Sequence, residues 1–176
     1  MRPARVDVLG DFRGAPATVA LVKRYALEAQ QDPSVRMLAE DIVQHVGSKD
    51  YLSEILSVYN FVLGAVRYCN DPRTIELVKR PGLVARQIAA GQVPSLDCDD
   101  LTTLLAALLL SLGREVRAVT VAFHDAFYNG ERQYSHIFCE VKEPRSNRWI
   151  VLDPVAAEDT DKMLRRVRAV KYWAIA

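Results

Sequence analysis

Residues 97–113 read DCDDLTTLLAALLLSLG, an acidic start with one cysteine followed by an almost unbroken apolar run. The spacing of the leucines predicts an α-helix over about 97–112. Because these leucines occupy more than one face, we expect the helix to be buried on several sides. Gly113 supplies a residue that commonly ends a helix. The segment therefore predicts a central helix with Cys98 in its first turn.

The chain before this helix is also helical by pattern. Apolar residues recur at helical spacing in three stretches, residues 16–31, 33–46 and 50–66. A turn is predicted over residues 68–72, where asparagine, aspartate and proline follow one another. A shorter helix is expected next, either near residues 74–78 or over residues 81–90.

After the central helix the period changes to that of strands. Runs rich in valine, isoleucine and aromatic residues predict strands over residues 115–123, 133–141 and 148–152, with a hairpin loop over 143–147. Residues 167–175 are better described as a strand than as a helix, and residues 124–132 as a long loop that could border a substrate groove. Helices followed by an antiparallel meander predict an α+β fold in one domain over residues 1–176.

The bulk composition excludes several classes of function. The chain has 176 residues and a formal net charge of +1, which gives no electrostatic reason to expect a nucleic acid or a membrane as partner. The stretch Arg165-Arg166-Val167-Arg168 is basic but short, and it fits a solvated strand edge. No signal peptide is apparent, and three irregularly spaced cysteines do not suggest a disulfide framework. We therefore expect a cytoplasmic protein.

Three residues suggest thiol chemistry. A cysteine attacks a carbonyl carbon as the thiolate, so it needs a base and a local field that favours negative charge. Cys98 lies in the first turn of the predicted helix, whose N-terminus favours negative charge. His136 lies in a predicted strand, and Asp153 ends the next strand. Adjacent antiparallel strands can place a histidine beside a carboxylate that fixes its tautomer. Each of the three taken alone is ambiguous, because a lone buried cysteine, a strand histidine and an aspartate before proline are all common.

The acidic neighbours of Cys98 oppose this chemistry. Asp97, Asp99 and Asp100 raise the pKa of a nearby thiol, whereas a helix terminus stabilises an anion by only about 1 kcal/mol. Activation would therefore come mainly from His136. Asp97 or Asp100 could instead cap the helix. No metal site is expected, because Cys139 lies an odd number of residues from His136 and so on the opposite face of the strand.

Four motifs follow one another in the sequence. They are Val66-Arg67-Tyr68, the DCDD helix with Leu112-Gly113-Arg114, the segment SHIFCEV from Ser135, and WIVLDP ending at Pro154. In this order they carry a resemblance to the bacterial transglutaminase-like superfamily. It covers about residues 50–155, so residues 1–49 would form an N-terminal helical extension. It implies a papain-like fold in which Cys98 is the nucleophile, His136 the general base and acid, and Asp153 the orienting residue, without a cofactor.

The resemblance leaves the reaction open. It is compatible with a cysteine peptidase or amidase, or with an acyl transferase, acting on a protein or peptide. Asp99 stands where animal transglutaminases often have an aromatic residue, which favours hydrolysis over cross-linking. The second oxyanion donor is either Tyr68 or Gln92. The alternative function is a non-catalytic domain of the same fold, used for binding or assembly, including one of prophage origin.

Overall fold

Six helices and ten strands lie within residues 7–9, 15–70 and 76–176, the part of the chain that the computed structural model describes. The helices are α1 (Ala15–Ala29), α2 (Pro33–Val43), α3 (Tyr51–Ala65), α4 (Pro81–Ala89), α5 (Cys98–Ser111) and α6 (Thr160–Arg165). The strands are β1 (Asp7–Leu9), β2 (Arg67–Tyr68), β3 (Glu76–Val78), β4 (Ser95–Leu96), β5 (Val116–Ala122), β6 (Phe127–Tyr128), β7 (Glu131–Arg132), β8 (His136–Glu143), β9 (Arg148–Leu152) and β10 (Ala169–Ala174). Mixed helix and sheet confirm the α+β prediction.

The main sheet has four antiparallel strands in the order β10-β5-β8-β9. Val121 of β5 lies opposite His136, and Ala169 of β10 lies opposite Ala122. The first residues of β8 and β10 and the last residues of β5 and β9 therefore lie at the same end of the strands. We call this end the site end of the sheet.

Helix α5 forms the centre of the fold, as its leucines predict. Asp97 caps it by accepting a hydrogen bond from the backbone N–H of Asp100 at 3.2 Å, and Gly113 follows it with a φ of +74°. Every residue from Asp99 to Leu110 is buried, between helices α1 to α4 and strands β5 and β8. Each fully buried leucine contributes about 2 kcal/mol through removal of apolar surface from water. This packing fixes α5 relative to the sheet.

The structure corrects some boundaries. Of the two positions predicted for the short helix, the structure has the second, α4, whereas Glu76–Val78 is a strand that pairs with β1. Residues 71–75 lie outside the described residues. They include the end of the turn predicted over residues 68–72 and the start of the helix considered near residues 74–78. The predicted long loop over residues 124–132 contains a small hairpin, β6 to β7, whose turn uses the positive φ angles of Asn129 and Gly130. The tail is a strand, as predicted.

The described helices are too short or too polar to span a membrane.

Candidate active site

Cys98 is the first residue of α5, and this end of the helix rests on the start of β8. One turn after Cys98, the hydroxyl of Thr102 lies 2.7 Å from the carbonyl oxygen of Cys98. It also lies 3.3 Å from the carbonyl oxygen of Ile137, the residue that follows His136. The Cys98 side chain is partly exposed, so solvent and small molecules can reach this region. The contact through Thr102 thus places the first turn of α5 at the site end of the sheet.

His136 and Asp153 form a direct pair across the site end. Nε2 of His136 lies 2.7 Å from Oδ2 of Asp153, whose side chain is fully buried. The other carboxylate oxygen, Oδ1, accepts hydrogen bonds from the backbone N–H groups of Val155 at 3.0 Å and Ala156 at 3.3 Å. These two donors orient the carboxylate, so that Oδ2 faces the imidazole. The pair therefore favours the tautomer with the proton on Nε2, which leaves Nδ1 as a base.

Two aromatic rings hold the imidazole in place. The Phe123 ring stacks on His136 with centroids 6.3 Å apart, and the Phe138 ring lies 5.9 Å away in a tilted arrangement. The side chain of His136 is only 10% exposed. A ring enclosed in this way loses little further freedom when it acts as a base, which favours a single productive orientation.

Tyr59 on α3 is a site residue that the sequence pattern did not reveal. Its hydroxyl donates a hydrogen bond to the backbone carbonyl of Asp153 at 2.8 Å. Burial, followed by the negative charge of Asp153, raises the pKa of Tyr59 to about 12, so it stays a donor at neutral pH. This bond ties the end of β9 to the helical layer and helps to fix the position of Asp153.

The two oxyanion candidates lie in different surroundings. Tyr68 belongs to β2, which pairs in parallel with β4 immediately before α5. Burial is the largest cause of a Tyr68 pKa raised to about 12, and electrostatic interactions with Cys98, Asp97 and Asp153 add to the rise. Its hydroxyl donates to Oδ1 of Asn70 at 2.7 Å. Gln92 is exposed in the loop after α4, and among the described residues its side chain makes no hydrogen bond to the site.

The acidic cluster beside Cys98 is partly neutralised. Carboxylate oxygens of Asp97, Asp99 and Asp100 lie within 4.8 Å of one another, and all three residues are buried. Asp100 accepts from the backbone N–H of Lys79 at 2.6 Å and forms an ion pair with the Lys79 ammonium group. Burial raises the pKa of Asp100 to about 6, with Lys79 acting in the opposite direction and the charge of Asp97 adding to the rise. The thiol therefore faces less negative charge than three free carboxylates would provide.

The same carboxylates are the kind of donor that a divalent cation prefers. The fold already uses this cluster for structural contacts, because Asp97 caps α5 and Asp100 holds Lys79. The cluster by itself assigns no metal.

Replacing Lys79 with methionine is expected to destabilise the fold in a pH-dependent way. Asp100 has a folded pKa of about 6 against an ordinary value of 3.8. Its protonation therefore contributes stability that is fully present below pH 3.8 and is lost as the pH rises through 6. Without Lys79 that pKa rises further. At pH 8 the carboxylate would be buried and uncompensated, which costs about 3–5 kcal/mol, whereas at pH 5 it is protonated and the loss is smaller.

The check is the free energy of unfolding in urea at pH 5 and pH 8. Lys162→Met is the matched control, because Lys162 pairs with Asp159 on the exposed surface and its loss should cost less than about 1 kcal/mol at either pH. An equal loss at both pH values for Lys79→Met would contradict the role assigned to the Asp100 charge.

The family profile and one solved structure agree with this fold. The family profile of the transglutaminase-like superfamily matches residues 36–154, which is more than half of the chain. A solved structure of a candidate protease from Parabacteroides distasonis aligns with a TM-score of 0.57 and 12% identity, over 82% of this chain and 28% of its own. A candidate cysteine protease from Cytophaga hutchinsonii aligns with a TM-score of 0.49 and 13% identity, over 96% of this chain and 58% of its own.

The second alignment, with a TM-score of 0.49, adds no support for the fold. At 12% identity the first supports the fold alone, and this chain spans less than two thirds of either structure. No curated protein matches the sequence significantly. The family match includes Cys98, His136 and Asp153 within its range. The chain belongs to the transglutaminase-like superfamily.

Proposed function

We propose that this chain is a thiol enzyme that cleaves amide bonds in peptides or proteins through a thioester on Cys98. The observation that carries the proposal is the 2.7 Å contact between His136 and Asp153 at the site end of the sheet. The first turn of α5 lies against this end through Thr102 and Ile137. Membership of the superfamily supports a thiol enzyme, and the pairing of histidine with aspartate supplies the base that a thiol needs.

The first step in this proposal is formation of the thiolate. With Nε2 of His136 held by Asp153, Nδ1 is the nitrogen that accepts the proton of the Cys98 thiol. Asp153 stabilises the resulting imidazolium and keeps the ring in one orientation. The N-terminus of α5 adds a favourable field of about 1 kcal/mol for the thiolate.

The thiolate then attacks the carbonyl carbon of the substrate amide, forming a C–S bond and a tetrahedral oxyanion. Collapse of this intermediate breaks the C–N bond, and the imidazolium gives its proton to the leaving amine. A thioester on Cys98 remains. His136 next removes a proton from water, which attacks the thioester and releases a carboxylic acid and the thiol. An amine in place of water would give acyl transfer instead.

The oxyanion needs hydrogen-bond donors at the start of α5. Backbone N–H groups in the first turn of a helix point outwards along the axis, where a developing negative charge is stabilised. Of the two side-chain candidates, Tyr68 is favoured over Gln92, because it lies in β2, which pairs with β4 immediately before α5, and its phenol remains protonated with a pKa of about 12. The oxyanion would compete with Asn70 for that proton.

The pH dependence of alkylation tests whether the thiol is activated. In a Cys69→Ala background, we expect iodoacetamide to modify Cys98 at a rate that changes less than about tenfold between pH 6 and pH 9. An ordinary thiol with a pKa near 8.5 would react roughly 200-fold more slowly at pH 6 than at pH 9. The reaction is followed by mass spectrometry of the cysteine-containing peptides.

The remaining cysteines allow clean controls. Cys139 is buried, and burial raises the pKa of its thiol, so it should stay unmodified while the protein is folded. Cys69 is exposed and serves as the reference thiol in a Cys98→Ala variant. His136→Ala should give Cys98 the profile of an ordinary thiol. If Cys98 shows the pH dependence of an ordinary thiol while His136 is intact, the result would contradict the enzyme proposal and favour a binding or assembly domain.

A further inference from the structure

A basic groove lies at the site end of the sheet, beside the candidate active site. It is an open depression of about 670 Å³, formed where β5 ends and β10 begins. Arg165, Arg166 and Arg168 line it from the segment before β10, and residues 123–125, which include Phe123 and Asp125, line it from the segment after β5. The backbone N–H of Arg168 donates to the carbonyl of Ala122 at 2.8 Å, which fixes the two segments relative to each other.

The groove carries uncompensated positive charge. All three arginines are exposed, and within residues 15–70 and 76–176 none of their guanidinium groups takes part in an ion pair. The one carboxylate in the lining, that of Asp125, is paired with Arg132 at 2.5 Å. Arg132, with a smaller contribution from Arg168, lowers the pKa of Asp125, so this carboxylate is ionised and already neutralised by its partner. An anion from outside would therefore meet a net positive field.

Phe123 connects the groove to the catalytic pair. Cζ of Arg166 lies 5.7 Å from the centroid of the Phe123 ring, and that ring stacks on His136 at 6.3 Å. Together these distances limit the separation between the guanidinium group and the imidazole to about 12 Å. An extended peptide advances about 3.3 Å per residue, so this limit corresponds to at most about four residues.

We propose that the groove binds a carboxylate of the peptide substrate, within about four residues of the amide that Cys98 attacks. The inference rests on the proposed function and adds the substrate class to it. Guanidinium groups match carboxylates through paired hydrogen bonds, which makes arginine a selective partner for this group. Arg165, Arg166 and Arg168 lie outside the residues that the family profile matches, so the preference belongs to this chain's own C-terminal segment.

A series of chloroacetyl peptides tests the proposal. Each peptide is otherwise glycine and alanine, and it carries aspartate or asparagine at one position between one and six residues from the reactive carbon. We expect the aspartate peptide to alkylate Cys98 about tenfold faster than its asparagine partner at a position within about four residues and not at five or six, and the advantage to shrink in high salt. A second arm compares a neutral peptide ending in a free carboxylate at the same distance with its C-terminal amide, which distinguishes a chain terminus from an acidic side chain as the source.

Matched variants separate the groove from the net charge. Arg166→Gln/Arg168→Gln should reduce the aspartate-to-asparagine rate ratio at least fivefold, and Arg166→Lys/Arg168→Lys should retain most of it. Arg145→Gln/Arg148→Gln removes the same charge from the exposed β8–β9 turn and the start of β9, at the opposite end of the sheet, and should keep the ratio. Equal rates for aspartate and asparagine at every position, or equal losses in both glutamine pairs, would overturn the proposal. Iodoacetamide, which is small and neutral, reports on thiol activation independently, so failure of the groove and failure of the enzyme are distinguishable.

Discussion

Cys98→Ala is expected to lower the rate of peptide amide cleavage by about 10⁴-fold or more, because no other group in the proposed mechanism can form the covalent bond to the carbonyl carbon. The residual rate would come from substrate binding and oxyanion stabilisation alone. The substitution removes one partly exposed sulfur atom, so the free energy of unfolding should change by less than about 1 kcal/mol. Cleavage of a synthetic peptide library, measured by mass spectrometry, gives the rate.

Cys69→Ala is the matched control for this loss. Cys69 is an exposed thiol, and it plays no part in the proposed chemistry. The control should cleave the same peptides at the wild-type rate. If Cys98→Ala cleaves as fast as the control, or retains every function of the protein, the binding or assembly alternative gains the support that the enzyme loses.

Asp153→Asn is expected to reduce cleavage by roughly 10³- to 10⁴-fold while leaving the site assembled. The backbone N–H groups of Val155 and Ala156 both donate to Oδ1, so an asparagine would place its carbonyl oxygen there. Its NH₂ group would then face Nε2 of His136, where the carboxylate oxygen now lies. The imidazole would have to accept that hydrogen bond and carry its proton on Nδ1. This is the wrong tautomer for a base that takes a proton from Cys98.

The exposed Asp41→Asn serves as control, because it makes the same chemical change at the surface of α2. It should leave cleavage unchanged. The tautomer is measured by ¹⁵N NMR of the labelled imidazole at a pH where the ring is neutral. Retention of the Nε2-protonated tautomer and of full activity in Asp153→Asn would show that the carboxylate does not orient His136.

Local pattern predicted the elements that carry the site. The leucine spacing after Cys98 and the β-branched runs around His136 and before Asp153 are strong signals, and α5, β8 and β9 lie where they indicate. His136 begins β8 and Asp153 follows the end of β9. The antiparallel pairing of these two strands brings the two side chains together. The roles of these residues remain predictions that the experiments above test.

Other features depend on contacts that no local pattern encodes. Tyr59 reaches Asp153 across 94 positions of the chain, and in sequence it reads only as part of an apolar helix face. The ion pair of Lys79 with Asp100 is equally non-local, and it weakens the negative field that three adjacent aspartates would otherwise impose on Cys98. Strand β3 forms where a helix was one alternative, because pairing with β1 outweighs the weak propensity of three residues.

The groove illustrates the same limit. Arg165-Arg166-Val167-Arg168 reads as a solvated edge until the pairing of β10 with β5 places it beside Phe123, and Phe123 beside His136. Only the register of the sheet relates this basic segment to His136 and Asp153. That position is the basis of the carboxylate-binding role proposed for the short arginine run.

Trapping of the acyl-enzyme tests the central claim most directly. The protein is mixed with a peptide p-nitrophenyl ester, quenched in acid at short times and digested, and the peptides containing Cys98 and Cys69 are weighed by mass spectrometry. The account predicts an acyl adduct on Cys98 that hydroxylamine removes, that forms and decays during turnover, and that is greatly reduced in His136→Ala. An adduct that is absent from Cys98, or that forms on it no faster than on Cys69 and independently of His136, would contradict it.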